Sequence, residues 1–360
     1  MRLRVLHAAQ KPLPWILFLA FQLLSLKMIK NNPQLVEEYY SSFFYPLLFQ
    51  IQSRFFAFFS FSLGDLFYAL ALLLFLYNCY RYFKYKKQNF KWLFFNLIIL
   101  VSLIHFFFYM SWGLNYFRIP LHQKLNYTLD YTEESLTKTL LYHLDQTHRL
   151  RQQLNTADSL AVVAPYNKKK LIGLIQENYT VPFHTQKKVT PFGKVSWWSY
   201  LLSYAGYGGY LNPFTLESQI NNLQPPLSFV STAAHEMAHQ CGIAAEDEAN
   251  FIAFYTLVQH SDPYLRFSAH AFAVRYLYYD LYRFSPETAK EIRYQMHPGL
   301  LKDFEKIAIF WKQFENPFEP YLKQFYHQFL VANGQKKGLK SYSAIVGYLV
   351  AHCEENSTLK

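Results

Sequence analysis

Residues 231–250 read STAAHEMAHQCGIAAEDEAN, and two histidines, His235 and His239, stand one helical turn apart within them. At positions i and i+4, both imidazoles project from one face of a helix toward a common point. Small residues flank the histidines, as a helix packed closely inside a domain requires. Gly242 stands where this helix has to end, and the acidic residues after it begin a second helix. The stretch therefore predicts two packed helices that enclose a polar centre.

The five residues HEMAH, 235–239, form the pattern HExxH, which has the chemistry of a zinc-dependent hydrolase. Neutral imidazole is a standard ligand of Zn²⁺, so we expect His235 and His239 to hold a zinc ion. Glu236 stands beside the first ligand and can draw a proton from a water that the zinc has acidified. The alternative is a solvated helix in which these residues occur by chance, and the small residues beside them argue against it.

Three apolar stretches in the first third of the chain are candidates for membrane-spanning helices, at about residues 13–28, 63–80 and 92–110. The first stretch is short and follows basic residues, so a cleaved signal peptide is an alternative. The residues after it, KMIK at 27–30, offer no pair of small residues for cleavage, and we expect an uncleaved anchor.

The connector between the second and third spans, residues 81–91, holds five basic residues and no acidic one. Loops of this kind stay in the cytoplasm, and the basic N-terminus, with Arg2 and Arg4, gives the same orientation. We therefore expect a multi-pass protein of the bacterial cytoplasmic membrane whose residues after about Ser111 lie outside the cytoplasm.

Polar residues inside the apolar stretches are expected to be structural. Asp65 stands at the outer edge of the second span, where we expect water to reach it. His105 is deeper in the third span, has no carboxylate in its own helix, and is expected to be a packing residue. The segment 31–62, rich in Phe and Tyr, lies either in the membrane interface or partly embedded, and the sequence leaves both open.

The net charge of +11 is unevenly distributed along the chain. Residues 1–128 carry 13 Lys and Arg against 3 Asp and Glu, which gives +10, while the remaining 22 and 21 leave only +1. A basic excess beside apolar spans marks the cytoplasmic side of a membrane protein, whereas a nucleic-acid-binding domain concentrates it on its folded face. We therefore expect no nucleic acid among the partners. The three widely spaced cysteines predict no disulfide framework.

This pattern divides the chain into a membrane domain, residues 1–115, and an extracytoplasmic domain, residues 116–360. Gly, Pro and aromatic residues are concentrated at 180–224 and predict a small hairpin or irregular sheet before the HExxH helix. The fold class is therefore mainly α (α+β), with three N-terminal membrane helices followed by a helical domain with a small sheet. In the last third of the chain we expect helices at about 228–241, 246–260, 264–284, 287–296, 300–332 and 340–353.

HEMAHQCG at 235–242, followed by EDEANF at 246–251, resembles the gluzincin-type zinc metallopeptidases. The resemblance implies a zincin-like domain in which HExxH supplies two zinc ligands and a glutamate of the following helix supplies the third. Glu246 shares a helix face with small residues and with Asn250, whereas Glu248 points about 200° away. We therefore expect Glu246 to be the third ligand and Asn250 to accept a hydrogen bond from a ligating imidazole. Glu248 is expected to be a solvated carboxylate at the start of its helix.

Over nearly its full length the chain also resembles a family of uncharacterised bacterial membrane proteins, known only as a domain of unknown function. The stretches that carry this resemblance are SWGLNYFR at 111–118, NPFT at 212–215, the HExxH block and KSY at 340–342. This second resemblance implies a membrane location and no tested activity.

The resemblance to gluzincins implies two further features of the site. Gluzincins bind their substrate as an added strand beside an edge strand, for which residues 209–221 are the candidate here, with a purely structural hairpin as the alternative. A downstream His or Tyr steadies the oxyanion in such enzymes. We choose Tyr342, because it lies in one of the family-like stretches, and its rivals are His260, His270 and His297.

These features together predict a membrane-anchored zinc metallopeptidase, surrounded by membrane lipid, that hydrolyses a peptide or protein of the cell envelope. Two alternatives remain open. One is a membrane scaffold or sensor whose zinc site is structural or inactive, although a structural site needs closed coordination and no base such as Glu236. The other is a zinc hydrolase of a non-peptide envelope substrate, which the sequence does not distinguish from a peptidase.

Overall fold

The computed structural model of the protein describes residues 12–85, 90–154, 157, 160–182 and 189–358. Arg2, Arg4, Lys86 and Lys87, on which the predicted orientation partly rests, lie outside the described residues. Within the described ranges the chain is mainly helical and contains one small sheet, as the sequence predicts.

The N-terminal part consists of three long helices with short helices between the first two. Its helices are α1 (Pro12–Lys30), α2 (Pro33–Leu35), α3 (Tyr45–Phe56), α4 (Leu63–Tyr85) and α5 (Phe90–Ser111). A π-helical segment, Val36–Phe44, joins α2 to α3.

The C-terminal part holds the remaining helices and the sheet. Its helices are α6 (Leu121–Leu125), α7 (Glu133–Gln153), α8 (Lys168–Glu177), α9 (Ser199–Tyr204), α10 (Pro226–Gln240), α11 (Glu246–Val258), α12 (Pro263–Phe284), α13 (Pro286–Gln295), α14 (Pro298–Lys312), α15 (Glu319–Ala332) and α16 (Ile345–Thr358). Its strands are β1 (Gly193–Val195), β2 (Gly209–Leu211) and β3 (Ser218–Ile220). Two 3-10 segments, Gly113–Phe117 and Gly338–Ala344, precede α6 and α16.

Helices α1, α4 and α5 are long and apolar enough to cross a membrane, over Leu13–Lys30, Leu63–Tyr80 and Phe94–Ser111. The three apolar helices predicted as candidate spans are thereby confirmed as candidates. Both ends of the predicted connector 81–91 are helical, because α4 and α5 continue beyond their apolar stretches.

Helices α1 and α5 pack against each other within the apolar region. The rings of Phe18 and Phe106 lie 5.6 Å apart between their centroids. In the same interface His105 Nδ1 lies 2.7 Å from Gln22 Oε1. His105 is therefore a packing residue that finds its polar partner on the neighbouring helix.

One end of each of the three long helices, α1, α4 and α5, contacts the C-terminal part. At the end of α1, Lys30 Nζ donates a hydrogen bond to the carbonyl of Ala332 at 2.9 Å. At the end of α5, Ser111 Oγ donates to the carbonyl of Pro213 at 2.5 Å. The start of α4 is held next to the sheet through Asp65. The last turn of α4 and the first turn of α5 therefore lie at the opposite ends of these helices from the C-terminal part.

Asp65 is fully buried, so the prediction that water reaches it is wrong. Its carboxylate accepts hydrogen bonds from Ser196 Oγ at 2.9 Å and from the amide of Trp197 at 2.6 Å. The hydroxyl of Tyr210 is a further donor. Nearby, the buried carboxylate of Glu217 accepts two amides of the first turn of α4, at 3.2 and 2.5 Å. The negative charges of Asp65 and Glu217 are favoured at the N-terminus of α4. Residues of the C-terminal part shield both carboxylates from water.

The segment between the first two spans is helical and lies partly in the core. Tyr45 and Phe49 of α3 are buried. The hydroxyl of Tyr45 donates to the carbonyl of Gln240 at 2.8 Å. At the tip after α3, Phe58 is 85 % exposed. One face of this segment therefore packs on the C-terminal part, while its aromatic tip stays uncovered within the described chain.

The sheet has the strand order β1-β3-β2, with β3 in the centre. Strands β2 and β3 pair antiparallel, which confirms the small hairpin or irregular sheet predicted within residues 180–224. Strand β1 pairs parallel to β3 and was not predicted as a separate strand. The hydroxyl of Ser218 in β3 donates to the carbonyl of Glu236 in α10 at 2.7 Å, which ties the sheet to the HExxH helix.

Helices α10 to α13 begin and end within two residues of the predicted positions, but the single helix predicted at 300–332 is wrong. The chain there forms two helices, α14 and α15. Pro317 cannot continue the helical hydrogen bonds. The side chain of Asn316 accepts the amides of Phe318 and Glu319, at 3.0 and 3.2 Å, and so starts the next helix.

The helix predicted at 340–353 begins later than expected. Helix α16 starts at Ile345, after the 3-10 segment that contains Tyr342. Gly338 begins this segment with a φ of 53°, and the hydroxyl of Ser341 donates to its carbonyl at 2.7 Å. Tyr342 therefore lies on a tight turn and not on a regular helix face.

Candidate metal centre

The side chains of His235, His239 and Glu246 converge on one point. His235 Nε2 and His239 Nε2 lie 3.1 and 3.5 Å from Glu246 Oε2. All three residues are buried. Ligand atoms about 2.1 Å from a tetrahedral zinc ion stand about 3.4 Å from one another. The three groups therefore have the spacing that a single metal ion requires.

The local sequence explains how the two helices bring these groups together. Helix α10 carries both histidines and ends before Gly242, which has a left-handed φ of 76°. The chain turns back there, and the amide of Ile243 donates to the carbonyl of Ala238 at 3.2 Å. Glu246, the first residue of α11, is thereby placed beside the histidines. The helices approach closely because alanines on both are fully buried, namely Ala234, Ala238, Ala249 and Ala253.

Two hydrogen bonds fix the tautomers of the histidines. His239 Nδ1 lies 2.6 Å from the carbonyl oxygen of Ile243, which can only accept, so Nδ1 carries the proton. His235 Nδ1 lies 2.8 Å from Asn250 Oδ1, and Asn250 is oriented by its own Nδ2, which donates to the carbonyl of Tyr342 at 3.2 Å. In each neutral ring Nε2 is then unprotonated. Both lone pairs face a carboxylate, which is repulsive unless a cation stands between them.

The charges of the cluster are those of a site that needs a cation. Burial alone would raise the pKa of Glu246, but His239 and His235 beside it hold that pKa well below its ordinary value. Burial alone would lower the pKa of His239, but the carboxylate of Glu246 raises it to about 9. In the protein without metal, a proton on His239 therefore supplies the positive charge that a bound metal ion would supply.

Glu236 lies beside the cluster and is not one of its three converging groups. It is buried, and burial raises its pKa to about 7. Gly209 of β2 leaves room for its side chain, because a Cβ at position 209 would lie 2.8 Å from Glu236 Cγ. Glu236 is therefore placed between the cluster and the edge strand of the sheet.

Tyr342 lies at the site, as the sequence predicts. Its ring is nearly parallel to that of His235, with centroids 6.1 Å apart. Burial, together with the negative charge of Glu246, raises the pKa of Tyr342, so its hydroxyl stays a hydrogen-bond donor. The carbonyl of the same residue orients Asn250. Tyr342 therefore contacts the site through both its ring and its main chain.

The three rival histidines lie elsewhere. His260 and His297 each accept a main-chain amide within their own turn, at 2.9 and 3.1 Å. His270 pairs with His143 at 2.8 Å between two Nδ1 atoms. The structure brings none of the three into the described metal cluster.

Glu248 is not at the cluster, and the expectation that it is solvated is wrong. The side chain is buried, and Glu248 Oε1 accepts the amide of Leu121 at 2.7 Å. Burial raises its pKa to about 7. The start of α6 covers this face of α11, and α6 stands too far upstream in the chain for the local pattern to reveal the contact.

Sequence reasoning missed Tyr326 of α15. Its hydroxyl donates to Glu246 Oε1 at 2.7 Å, so it holds the oxygen that does not face the histidines. Burial, together with the charge of Glu246, raises the pKa of Tyr326. No motif marks Tyr326, because the helix predicted across 300–332 gave no reason to choose one of its tyrosines.

The stretch SWGLNYFR, which carries the family resemblance, contacts the C-terminal end of the HExxH helix α10. Trp112 Nε1 donates to the carbonyl of His239 at 2.9 Å. Arg118 Nη1 donates to the carbonyl of Gly242 at 2.8 Å. This stretch begins with Ser111, the last residue of α5, so the end of a candidate membrane span is tied to the end of the HExxH helix.

Replacing Tyr326 by phenylalanine should weaken metal binding about 10- to 100-fold, because a partner that orients a ligand is lost while the ring remains. Competition for Zn²⁺ between the full-length protein and a chromogenic chelator measures this change. Tyr321→Phe is the matched control, since Tyr321 is an exposed tyrosine on the same helix. Equal affinities for the Tyr326→Phe variant and the wild type would show that Tyr326 does not orient the ligand.

Two cavities meet at the cluster. One has a volume of about 310 Å³ and is lined in part by polar residues such as Gln224 and Arg275. The other has a volume of about 380 Å³ and is lined mainly by apolar residues such as Phe108 and Phe325. Glu236 lines both cavities. The cluster is therefore open to another molecule on the side where Glu236 stands.

A family model described as Protein of unknown function (DUF3810) matches residues 40–350. The match includes α4, α5, the sheet and the metal cluster, and it spans much more than half of the chain. No curated protein and no solved structure is significantly similar to the chain. The resemblance to an uncharacterised family, inferred from SWGLNYFR, NPFT and KSY, is confirmed at that level. The chain belongs to the family described as Protein of unknown function (DUF3810).

Proposed function

We propose that the protein is a membrane-anchored, zinc-dependent peptidase. The observation that carries the proposal is the pair of imidazoles whose Nε2 atoms converge on the carboxylate of Glu246, while their Nδ1 atoms bond to Asn250 and to the carbonyl of Ile243. When both rings are neutral, two nitrogen lone pairs and a carboxylate in one buried place need a cation. Glu236 and the two cavities beside the cluster support a catalytic role, because a structural metal site is closed and has no base.

Zinc fits this set of ligands. His235, His239 and Glu246 would hold it, and two imidazoles with one carboxylate are a common ligand set of catalytic zinc. Bound there, zinc would supply Lewis acidity and lower the pKa of a water molecule. Asn250 and Tyr326 keep a histidine and the glutamate in their orientations, which strengthens such a site.

Glu236 would act as the general base. Burial raises its pKa to about 7, where a carboxylate both accepts and releases a proton readily. It would take a proton from the attacking water and deliver it to the amine nitrogen as the C–N bond breaks. Tyr342 would donate a hydrogen bond to the negative charge that develops on the carbonyl oxygen, since it lines both cavities.

The open edge of β2 would bind the substrate as an added strand. The carbonyl of Gly208 and the amide of Asn212 are bonded across to the segment of β3. Because these bonds alternate in an antiparallel pair, the main-chain groups of Gly209 and Leu211 face the open edge. A peptide paired there would run past Glu236, which packs against Gly209.

Gly209→Ala should lower peptide hydrolysis about 100-fold while the metal content stays unchanged. An added Cβ would lie 2.6 Å from the carbonyl oxygen of Gln219 and 2.8 Å from Glu236 Cγ, so both the strand and the base must shift. Gly173→Ala is the matched control, since a Cβ at that position meets nothing within 4 Å. Steady-state kinetics on one peptide, with zinc analysis of both variants, make the comparison. Full activity in Gly209→Ala would remove β2 from the proposed binding site.

The proposal places the cluster outside the cytoplasm. The sequence of the connector 81–91 holds five basic residues and no acidic one, which favours a cytoplasmic position. The contacts of Asp65 and Ser111 support the cluster's position at the other end of the same helices. Reporter fusions at position 88 and at the C-terminus should therefore give opposite readouts, with position 88 cytoplasmic. Identical readouts at the two positions would remove this argument.

The peptidase proposal is tested on the full-length protein in detergent. Zinc-loaded protein is incubated with a broad peptide library, and the products are identified by mass spectrometry. We expect cleavage that a chelator abolishes and that added Zn²⁺ restores. Stoichiometric zinc without any cleavage would instead favour the scaffold or sensor alternative.

A further inference from the structure

The two cavities at the cluster differ in chemistry. Gln224, Thr232 and Arg275 contribute polar groups to the smaller cavity. The larger one, here called the membrane-side cavity, is lined mostly by apolar side chains, among them Phe108, Trp112, Leu202, Leu322, Phe325 and Phe329. A substrate that spans the cluster therefore meets polar groups on one side and an apolar chamber on the other.

One wall of the membrane-side cavity lies at the end of α5 and next to the start of α4. Phe108 lies inside the apolar stretch of α5, and Trp112 directly follows that helix. Tyr210, another lining residue, contacts the start of α4, because its ring lies 6.0 Å from that of Tyr68 and its hydroxyl bonds to Asp65. The cavity therefore begins where two of the candidate spans meet the C-terminal part.

Exposed aromatic residues stand on and beside α9 and α15, the two helices that supply Leu202 and Phe325 to the lining of this cavity. Before and within α9, Trp197 and Tyr200 are 59 % and 66 % exposed. On α15, Tyr321 and Phe325 are 72 % and 75 % exposed. A water-facing surface rarely presents so many large apolar groups together, whereas Trp and Tyr are enriched where a membrane protein meets the headgroup region.

Helix α15 is fixed at this level from both ends. Lys30, at the end of α1, donates a hydrogen bond to the carbonyl of Ala332, the last residue of α15. Just before its N-terminal end, Asn316 Nδ2 donates to the carbonyl of Tyr204, the last residue of α9, at 2.6 Å. The exposed faces of α9 and α15 thus flank the cavity at the height of the span ends. An apolar molecule in the bilayer can enter between them.

The position of β2 decides which kind of apolar molecule fits. Leu211 and Gly209 line the membrane-side cavity, and Glu236 packs against Gly209. Their strand, β2, is an edge strand of the described sheet. An unpaired strand edge recognises an extended polypeptide main chain. The acyl chain of a lipid has no main-chain groups that could pair with it. The observations therefore favour a polypeptide substrate over a lipid.

We propose that the substrate is a polypeptide anchored in the same membrane, cleaved in the extended segment that directly follows its membrane anchor. This inference rests on the proposed peptidase function and names its substrate class. The segment pairs with β2, and a large apolar side chain on the bilayer side of the scissile bond fills the membrane-side cavity. The residues beyond the scissile bond lie in the polar cavity with Arg275.

The experiment uses full-length protein in phosphatidylcholine vesicles and a library of peptide segments in two formats. Each segment is presented either as a free peptide or fused to a Leu-rich membrane-spanning helix of about 20 residues. We expect anchored segments to be cleaved at least about tenfold faster than free ones, with a bulky apolar residue on the bilayer side of the cleaved bond. Equal rates for the two formats, with no preference at that position, would overturn the inference and leave the peptidase proposal intact.

A variant at the entrance of the membrane-side cavity distinguishes two causes of faster cleavage. One is binding of the anchored segment in the cavity, and the other is its higher concentration at the vesicle surface. Phe325→Glu should lower the ratio of anchored to free cleavage at least about tenfold at wild-type metal content, because the charge blocks the apolar entrance. Tyr294→Glu is the matched control, since Tyr294 is 90 % exposed on α13, away from the cavity lining. A ratio that the two variants lower equally would overturn the role of the cavity.

Two further outcomes identify other failures. If no segment is cleaved in either format by zinc-loaded protein, the peptidase proposal fails, and the inference fails with it. If the vesicle lipids release fatty acid in a reaction that Glu236→Gln abolishes, the substrate is a lipid and the inference is overturned.

Discussion

Glu236→Gln should abolish hydrolysis while the metal stays bound. The amide has the shape of the carboxylate but cannot take a proton from the attacking water, and loss of a general base costs about 10²- to 10⁴-fold in rate. The metal should remain because Glu236 is not one of the three converging groups. Its carboxyl group also lacks any role in holding His235 or His239, whose Nδ1 atoms bond to Asn250 and Ile243.

This prediction is measured as kcat on a peptide that the wild type cleaves, with the zinc content of each sample determined in parallel. Glu248→Gln is the matched control, because it changes another buried glutamate of the same region whose bond from Leu121 the amide oxygen can keep. The control should retain activity. A Glu236→Gln variant with wild-type kcat would show that another group handles the proton.

Glu246→Ala should remove the metal, and Glu248→Ala should not. Glu246 supplies the only carboxylate in the described cluster, 3.1 and 3.5 Å from the two Nε2 atoms. Its loss leaves two ligands, so we expect a larger effect on affinity than the roughly 10- to 100-fold loss caused by removing a group that only orients a ligand. Glu248 faces away from the cluster and bonds to the amide of Leu121.

Glu248→Ala should lower the stability of the protein and leave its metal content unchanged. Without Glu248, the buried amide of Leu121 loses its acceptor, which should lower the free energy of unfolding by about 1–3 kcal/mol. Plasma mass spectrometry gives the zinc content per chain, and thermal unfolding gives the stability of each variant. Zinc lost in Glu248→Ala and kept in Glu246→Ala would reassign the third ligand.

The metal cluster could be predicted from the sequence because its geometry is local. His235 and His239 share one helix, and the phase of the next helix selects Glu246 over Glu248. The same phase places Asn250 one turn further on, where it meets His235 Nδ1 at 2.8 Å. Small residues at the contact were enough to predict that the two helices approach closely, since helix geometry fixes which residues share a face.

The features that the sequence did not reveal depend on contacts between distant segments. The sequence predicts that Asp65 and Glu248 are solvated, since each stands at the start of a helix and no neighbour in sequence covers it. In the structure the sheet region covers Asp65 and α6 covers Glu248. Tyr326 reaches Glu246 from a helix 80 residues downstream, at a distance in sequence over which no periodic pattern carries information.

The break between α14 and α15 was missed for another reason. Pro317 is a signal for a helix end. The apolar pattern continues on both sides of it, however, and predicts one helix across 300–332. Helices often stop before a proline, and Asn316 provides the cap that restarts the chain. Giving more weight to the Asn316–Pro317 pair would have predicted the break, although not that Tyr326 faces the metal cluster.

The most direct test of the metal centre is X-ray absorption spectroscopy at the zinc edge on zinc-loaded full-length protein. The account predicts stoichiometric zinc bound by two imidazole nitrogens and by oxygen, with no sulfur ligand, and no such signal in a His235→Ala, His239→Ala double variant. Sulfur scattering from Cys241, which is buried next to the cluster helix, or an unchanged zinc signal in the double variant, would contradict it.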